Sequence, residues 1–187
     1  LCSIYLGDIS HHNKTVFEIN KRVCLAILDT LTAQHIPKLQ IKWPNDILSA
    51  SKKIGGVLVE PILRGKKLTG VVIGCGINVN QLNFFELPYA SSMYAITGEE
   101  FAIEPLFEDL AKNIERTVRA STTDNSRYLD ALYGLNELCN FERTDRTLFS
   151  ATIVGVANDG KLVVKHDDNS TEMFEEKKLI FTAFAHC

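Results

Sequence analysis

Two apolar runs joined by a short polar connection constrain the fold of this chain more than any other feature. The runs are residues 57–59 and 68–73, and Arg64-Gly65-Lys66 provides the turn between them. So short a connection requires antiparallel pairing of the two strands. The second run continues into Gly74-Cys75-Gly76 and is apolar on both faces, which is typical of a central strand. The sequence therefore predicts an antiparallel hairpin inside a sheet.

Apolar residues at helical spacing predict helices before and after this hairpin. The longest such segment runs from Thr15 to His35, and Thr15 and Glu18 have the spacing of a capping box. A second helix is predicted to begin at Pro105, because proline is favoured in the first turn of a helix, and a short helix is predicted over residues 126–133. Residues 39–43 alternate apolar and polar side chains and predict a half-buried strand.

The pattern changes to short strands from about Asn136 onward. Asn158-Asp159-Gly160 is a strong turn signal between two apolar runs, so a β-hairpin is predicted there. An all-β unit of about 50 residues has a marginal core by itself, so we expect it to dock on the larger domain. The predicted strands of this unit cover residues 149–154, 162–164, 171–174 and 179–184.

Composition and charge limit the classes of function open to the chain. The formal net charge of −3 gives no general attraction to nucleic acid or to an anionic membrane. No window approaches the ~18 apolar residues of a membrane span. The five cysteines include no CxxC pair, so the simplest interpretation is reduced thiols in a cytosolic protein, without a zinc site or a disulfide framework. The five histidines lack partners at ligand spacing, and His11 and His12 are given no role.

Two pairs of glycines remove side chains from the predicted hairpin. Gly55 and Gly56 stand at the start of its first strand, and Gly74 and Gly76 lie in its second. Glycine weakens a strand, so these pairs indicate either a bulge or tight crossing, or the close approach of a ligand. Two such patches on neighbouring strands would form a floor for a flat or slender molecule. Gly74-Cys75-Gly76 has the first two glycines of the dinucleotide-binding fingerprint G-x-G-x-x-G, but residues 77–80 do not supply its third glycine, so a Rossmann site is rejected. No P-loop occurs in the sequence, so any ATP must bind in another way.

Polar residues near these glycines are the candidates for chemistry. Lys53 is suited to neutralise a carboxylate or a phosphate, although a solvated surface position is the commoner fate of a lysine. Asn45 and Asn78 each offer a donor and an acceptor for a nucleobase edge, or else they form turns. Asp46 either binds magnesium through water or caps its turn. Trp43 is predicted to lie in the core.

Taken together, these stretches resemble the central signature of the biotin–protein ligases. The signature begins with KWPND at residues 42–46 and continues with Lys53, seven residues after the aspartate. GGVLVE at residues 55–60 and GCGIN at residues 74–78 complete it. Each piece is modestly specific, whereas the ordered set is highly specific, and the resemblance extends over nearly the whole chain.

The resemblance implies an α+β fold like that of class II aminoacyl-tRNA synthetases, with a mixed sheet flanked by helices. An incomplete catalytic domain would occupy residues 1–135, and a small SH3-like β-barrel would occupy residues 136–187. Biotin and Mg-ATP would form biotinyl-5'-AMP, and a lysine of the biotin carboxyl carrier protein of acetyl-CoA carboxylase would then take the biotin. The enzyme would be cytoplasmic, with no membrane contact and, through this segment, no nucleic acid contact; the resemblance allows a homodimer.

Roles carried over by position follow from the same resemblance. Lys53 would contact the biotin carboxylate and the adenylate phosphate, and it is the one catalytic candidate. Asn45 and Asn78 would contact adenine, and Asp46 would lie near ATP or magnesium, without a metal site built by the protein. The residues expected to line the biotin slot with their backbone are Gly55, Gly56, Val57, Gly74 and Cys75.

The chain departs from the family pattern in three places. The family's arginine- and glycine-rich loop, and the segment that hydrogen-bonds the biotin ring, both belong before Leu1. A family arginine near the end of the barrel has no clear match in residues 177–181. We therefore expect these 187 residues alone to have little or no ligase activity. The alternatives are a lipoate–protein ligase, against which KWPND and GGVLVE argue, and a non-catalytic remnant that serves as a binding scaffold.

Overall fold

The structure, a computed structural model, describes residues 1–9, 15–85, 87–121 and 125–182. His11 and His12 lie outside the described residues. In chain order the elements are β1 (Cys2–Gly7), α1 (Val16–Ala33), β2 (Leu39–Lys42), β3 (Asp46–Ser49), β4 (Lys52–Arg64), β5 (Lys67–Ile77), α2 (Met93–Thr97), α3 (Ile103–Arg119), α4 (Asn125–Asp130), β6 (Leu138–Arg143), β7 (Leu148–Val156), β8 (Leu162–Lys165), β9 (Thr171–Phe174) and β10 (Leu179–Phe181).

The strands form two five-stranded sheets, which we call the first sheet, β1-β5-β4-β3-β2, and the second sheet, β10-β6-β7-β8-β9. Together with the helices that flank the first sheet, they confirm the α+β class. The first sheet was expected to be mixed, but its described ladders are all antiparallel. The cause is local, because β2 to β5 follow one another through connections too short for parallel pairing. Parallel pairing occurs as isolated bridges, such as Ile41 with Leu132.

Helix α1 packs on the first sheet and against α3. Its start agrees with the predicted cap, because Oγ1 of Thr15 accepts a hydrogen bond of 3.1 Å from the backbone N–H of Glu18. Arg22 of α1 is buried and donates to the carbonyl oxygens of Thr117 at 3.0 Å and Ala120 at 2.8 Å. These carbonyls lie at the C-terminus of α3, where intrahelical donors run out, so one side chain joins the two helices.

Strands β4 and β5 form the predicted hairpin, and its turn is tighter than predicted, at Gly65-Lys66. β5 lies between β4 and β1, so the prediction of an interior strand is confirmed. The register places Gly56 opposite Gly76 and Val57 opposite Cys75. Because side chains alternate along a strand, Val57 and Cys75 are buried in the core and the glycine pair belongs to the other face.

Two short elements were not predicted. The turn after Trp43 was expected, but the chain reverses directly into β3, which pairs with both β2 and β4. Helix α2 lies in a loop whose form the sequence left open, and Oγ of Ser92 caps it by accepting a hydrogen bond of 3.0 Å from Ala95. Both elements are too short for hydrophobic periodicity to give a signal.

The second sheet has five strands, within the predicted four or five, and it curls on itself. Arg143 on β6 makes two hydrogen bonds of 2.6 Å to the carboxylate of Glu172 on β9. Two strands lie between β6 and β9 in the sheet, so only strong curvature brings these side chains together. Aromatic rings fill the curve, namely those of Phe141, Phe149, Phe174 and Phe181.

The second sheet docks on the rest of the molecule, as predicted for so small a unit. Nε1 of Trp43, just after β2, donates a hydrogen bond of 2.8 Å to the carbonyl oxygen of Gly160 in the β7–β8 turn. The Trp43 side chain is buried, which confirms its prediction as a core residue. A Cβ atom at Gly160 would come within 2.7 Å of the Phe17 ring of α1, so the turn and the helix are in close contact.

Three cysteines, Cys2, Cys24 and Cys75, are free and buried, whereas Cys139 is disulfide-bonded. The expectation of reduced thiols is therefore confirmed for these three and wrong for Cys139. Among the helices in the described ranges, none combines the length and the apolar character needed to cross a membrane.

Candidate functional site

The outer face of the β4–β5 hairpin carries a floor without side chains. Gly56 and Gly76 are direct partners across the two strands, and Gly74 lies opposite Leu58. A Cβ atom at Gly76 would meet nothing within 4 Å, and one at Gly74 would make only ordinary contact, 3.7 Å from Cβ of Leu58. The space above these glycines is therefore open rather than filled by a crossing segment, as the ligand interpretation requires.

Gly55 is glycine for a different reason. A Cβ atom there would lie 2.7 Å from the carbonyl oxygen of Gly76 and 2.7 Å from Cδ1 of Ile77. The residue is buried, and its strand approaches β5 too closely for any side chain. A tight crossing explains the glycine at Gly55, whose main chain also lines a cavity on this hairpin, so its predicted backbone contact with a ligand stays a prediction. At Gly56, Gly74 and Gly76 the open space fits the ligand interpretation.

Two cavities meet over this floor. One of about 490 Å³ is bounded by Asn78 and by residues 87–90, and the other of about 510 Å³ extends along Leu58 and Gly74. Lys53, Gly56 and Gly76 line both cavities. We call the combined depression the glycine groove, defined by Lys53, Gly56, Gly74 and Gly76.

Lys53 stands where the two cavities join. Its main chain is fixed by hydrogen bonds with the loop before α2, one to the Tyr89 carbonyl at 2.7 Å and one from Ser91 at 2.8 Å. Its side chain is 43% exposed, and its Nζ lies 2.5 Å from Oδ1 of Asp46. A Cβ atom at Gly56 would be 3.7 Å from Cε of Lys53, so the lysine stem runs along the bare surface of that glycine.

Asp46 lies between two lysines. Its Oδ1 faces Lys53, and its Oδ2 lies 3.8 Å from Nζ of Lys42. Burial lowers the pKa of Lys42, and the nearby charge of Asp46 partly opposes this effect. Nζ of Lys42 also lies 4.9 Å from the centre of the Phe181 ring on β10, so the second sheet reaches the edge of the site.

The two asparagines support the local fold. Nδ2 of Asn45 donates to the carbonyl oxygen of Val57 at 2.7 Å, and Nδ2 of Asn78 donates to that of Ser91 at 2.9 Å. These bonds agree with the turn-forming interpretation, yet both residues also border the groove. Contact with adenine stays a prediction for both.

The side chains of Val57 and Cys75 point into the core, away from the groove. Only their main chain can contribute to its floor, which is what the sequence predicted. Cys75 borders a separate apolar cavity of about 300 Å³, which Cys2 also lines. Burial is the main cause that raises the pKa of the Cys75 thiol to about 12, so this thiol stays protonated near neutral pH.

Sequence reasoning missed part of the site. Gly76 was recognised as a bare position but was not included among the predicted ligand contacts, although its partner Gly56 was. Residues 87–90 form one wall of the groove, and tertiary hydrogen bonds, including those to the main chain of Lys53, bring this loop there. The turn-forming Pro88 was the available signal, and it does not say which surface the turn faces.

Within the described part of the chain, no group of three histidine, cysteine or acidic side chains is arranged to hold a metal ion. Asp46 and Glu60 are the carboxylates that border the groove. Since Asp46 is already paired with two lysines, the described residues do not build a metal site of their own.

Part of this chain is similar in sequence to known proteins. Residues 7–78 match the model of the biotin/lipoate A/B protein ligase family, a segment that holds the whole groove floor. The chain is 26% identical over 159 residues to the bifunctional ligase/repressor BirA of Bacillus spizizenii, and 30% identical over 142 residues to that of Bacillus subtilis. These matches cover 80% and 72% of this chain but 49% and 44% of the relatives. The chain thus spans about half the length of the curated relatives it matches.

The same fold occurs in solved structures. Biotin protein ligase from Aquifex aeolicus in complex with biotin and ATP has a TM-score of 0.75 at 20% identity, over 96% of this chain and 77% of that one. Its apo structure gives the same TM-score and identity over 95% and 79%. At this identity the likeness establishes the fold alone. The chain is therefore similar over residues 7–78 to the biotin/lipoate A/B protein ligase family, and it shares its fold with a biotin protein ligase.

Proposed function

We propose that this chain is the core of a biotin–protein ligase, which activates biotin to biotinyl-5'-AMP and transfers it to a lysine of the biotin carboxyl carrier protein. The observation that carries the proposal is the ammonium group of Lys53 beside the bare floor made by Gly56 and Gly76. Support for the acceptor comes from a Paracoccus denitrificans relative named biotin–[acetyl-CoA-carboxylase] ligase, 39% identical over 57 residues, which is 29% of this chain.

The shape of the glycine groove suits a slender acid that meets a nucleotide. Biotin would lie in the cavity along Gly74 and Leu58, and the nucleotide in the cavity bounded by Asn78 and residues 87–90. Their volumes, about 510 and 490 Å³, are in the range of small-molecule sites. Lys53 belongs to both cavities, so the carboxylate and the α-phosphate would meet at its ammonium group.

In the first step, an oxygen of the biotin carboxylate attacks the α-phosphorus of ATP, and the bond to the leaving pyrophosphate breaks. Both reactants are anions, so their repulsion must be offset before they can approach to bonding distance. The Lys53 ammonium has three N–H donors, so it can bind both anions at the same time. Such a fixed charge lowers the barrier by positioning and by electrostatic stabilisation.

In the second step, the neutral amine of the carrier lysine attacks the acyl carbon of the mixed anhydride. A carbon–nitrogen bond forms, the bond from the acyl carbon to the phosphate oxygen breaks, and AMP leaves with the negative charge on its phosphate. Lys53 remains beside that phosphate, where its charge stabilises the leaving group. The amine nitrogen releases one proton to solvent as the amide forms.

Magnesium would accompany ATP in this proposal. Mg²⁺ is usually held by one or two carboxylates together with substrate phosphates, where it neutralises phosphate charge. Asp46 and Glu60 are the groove carboxylates that could contribute, and the lysine partners of Asp46 leave most of the coordination to phosphates and water. Asn78 borders the cavity proposed for the nucleotide and would use its remaining carboxamide N–H and oxygen on adenine. Asn45 borders the cavity along Leu58 and Gly74, so its expected contact with adenine would require the nucleotide to extend into that cavity.

Further parts of the proposal concern the whole protein. We assign residues 1–135 to the catalytic domain and residues 136–187 to an SH3-like barrel, supported by the curled second sheet. A cytoplasmic location follows from the proposed carrier, and the free thiols of Cys2, Cys24 and Cys75 agree with it, whereas the disulfide of Cys139 stands against it. A homodimer through the first sheet is carried over from the family resemblance.

The test is ligand binding to this chain by titration calorimetry. We expect saturable binding of biotin and tighter binding of a non-hydrolysable biotinyl-adenylate analogue. Lys53→Ala should weaken the analogue about 100-fold, because a charge-assisted contact to a partly desolvated anion is lost. Lys66→Ala, at the exposed turn of the same hairpin, is the matched control and should bind like the wild type.

Several outcomes would contradict the proposal. Lipoate that competes as strongly as biotin would favour a lipoate–protein ligase. Absence of binding of either acid would favour a scaffold, and equal affinity in Lys53→Ala would remove the lysine from the site. The separate expectation that the chain alone has little ligase activity is checked by transfer of labelled biotin to a carrier domain.

A further inference from the structure

Asp46 is shared by two lysines whose surroundings differ. Lys53 is 43% exposed and lines the glycine groove, whereas the Lys42 side chain is only 13% exposed and borders neither of its cavities. The Asp46 oxygens are split between them, with Oδ1 at 2.5 Å from Lys53 and Oδ2 at 3.8 Å from Lys42. Asp46 therefore has a second cation close to it besides Lys53.

Lys42 is also the link between this trio and the second sheet. Its Nζ lies 4.9 Å from the centre of the Phe181 ring, and it sits on β2, which ends four residues before Asp46. An aromatic face attracts a cation, so Phe181 holds the ammonium group while it shields it from water. Burial lowers the pKa of Lys42, Asp46 raises it and Lys53 lowers it, so all three charges act on one another.

We infer that Lys42 is a positioning residue of the groove, which balances the charge of Asp46 so that Lys53 can turn from Asp46 to an anionic ligand. Phe181 holds Lys42 in place, and the second sheet thereby takes part in anion binding without touching the ligand. The inference rests on the proposed function, since the anion is the carboxylate and phosphate of a biotinyl-adenylate.

The physical reason is the charge left behind when Lys53 moves. Asp46 is 19% exposed, and a partly buried carboxylate without a cation loses much of its solvation and pairing. If Lys42 were absent, every step of Lys53 towards the ligand would expose Asp46 in this way. With Lys42 in place, the carboxylate keeps a cationic partner when Lys53 turns to the ligand.

The test compares affinities for the biotinyl-adenylate analogue in charge variants. Lys42→Met should weaken binding about tenfold, from the loss of one nearby charge at the effective dielectric of a protein surface. Lys42→Arg should bind like the wild type. The double variant Lys42→Met/Asp46→Asn should recover most of the lost affinity, because it removes the charge that Lys42 balances. A purely structural role predicts no recovery.

Two further measurements separate the roles of the second sheet and of the charges. Phe181→Leu removes the cation–π contact that holds Lys42, so it should weaken binding of the analogue about threefold. Ile180→Ala, at the exposed neighbouring position, is the control and should leave binding unchanged. In the ligand-free protein, the pKa of Lys42 measured by NMR should rise in Lys53→Met and fall in Asp46→Asn, with Lys66→Ala unchanged.

The failures are distinguishable. If the wild type does not bind the analogue, the proposed function is wrong and the inference falls with it. If the wild type binds but Lys42→Met binds equally well, or if the double variant is no better than Lys42→Met, only the inference is overturned. Thermal unfolding of each variant shows whether it is folded.

Discussion

The two sheets of this protein have the same number of strands and the same antiparallel pairing, but they use their faces differently. The second sheet curls, fills its interior with aromatic rings and joins its distant strands through Arg143 and Glu172. The first sheet is covered by helices on one face and carries glycines on the other, around Gly56 and Gly76. Burial stabilises a sheet, whereas an open floor adds no packing, so the comparison separates positions that maintain the fold from positions that leave room for a ligand.

The largest expected effect is in the aromatic core of the second sheet. Phe141 is fully buried between the rings of Phe149 and Phe181. Phe141→Ala should lower the free energy of unfolding by about 3–5 kcal/mol, through lost burial and the cavity that remains. Leu58→Ala, on the groove face of the first sheet and 57% exposed, should lower it by less than about 1 kcal/mol. Urea unfolding measures both, and similar values would contradict the comparison.

A second test lies within the first sheet, where two glycines have opposite surroundings. Gly55→Ala should destabilise by about 2–3 kcal/mol, because its Cβ would collide with the Gly76 carbonyl and the strands must separate. Gly76→Ala should change stability by less than about 1 kcal/mol, because its Cβ enters open space, but it should weaken analogue binding. If Gly76→Ala destabilised the protein more than Gly55→Ala and left analogue binding unchanged, the floor would not be a binding surface.

The connection between the two sheets gives a smaller effect. Trp43→Phe removes the hydrogen bond from Nε1 to the Gly160 carbonyl and leaves that buried ring smaller. We expect the free energy of unfolding to fall by about 1–2 kcal/mol, because one hydrogen bond is lost and packing is reduced. Calorimetric unfolding tests this, and a second, separate transition in the variant would indicate that the sheets had become uncoupled. An unchanged profile would show that this bond does not join them.

The smallest expected effect depends on pH. Hydrogen bonds from Arg143 are the main cause that lowers the pKa of Glu172 in the folded protein below its ordinary value of 4.5. Because the pKa of Glu172 is lower in the folded protein, its charge stabilises the fold at pH values above about 4.5. This stabilisation is lost as the pH falls through the pKa of Glu172 in the folded protein. Glu172→Gln should therefore be less stable than the wild type by about 1 kcal/mol at pH 7, and the difference should vanish in acid.

The control for this prediction is an exposed pair on α3. Glu108 and Lys112 lie 3.6 Å apart with side chains 68% and 72% exposed, so solvent screens their attraction. Glu108→Gln should leave both the stability and its pH dependence unchanged within error. A pH-independent loss in Glu172→Gln would show that the loss comes from packing rather than from charge.

Much of the fold follows from local patterns. The helical stripe and the cap at Thr15 fixed α1, and the turn signals at Gly65 and Gly160 fixed two hairpins. β3 and α2 could not be predicted, because four or five residues carry no usable period and their formation depends on partners distant in sequence. The antiparallel character of the whole first sheet likewise depends on how short connections combine, although a mixed sheet was expected.

The sequence by itself determined that two neighbouring strands would lack side chains and that Lys53 would stand near them, because glycine content and strand register are local properties. Only the tertiary structure decided that Gly55 serves packing while Gly76 serves the opening, since the difference lies in which atoms approach each Cβ position. It also decided that Lys42, Asp46 and Phe181 meet, because charges and rings from three strands come together only when both sheets are folded and docked.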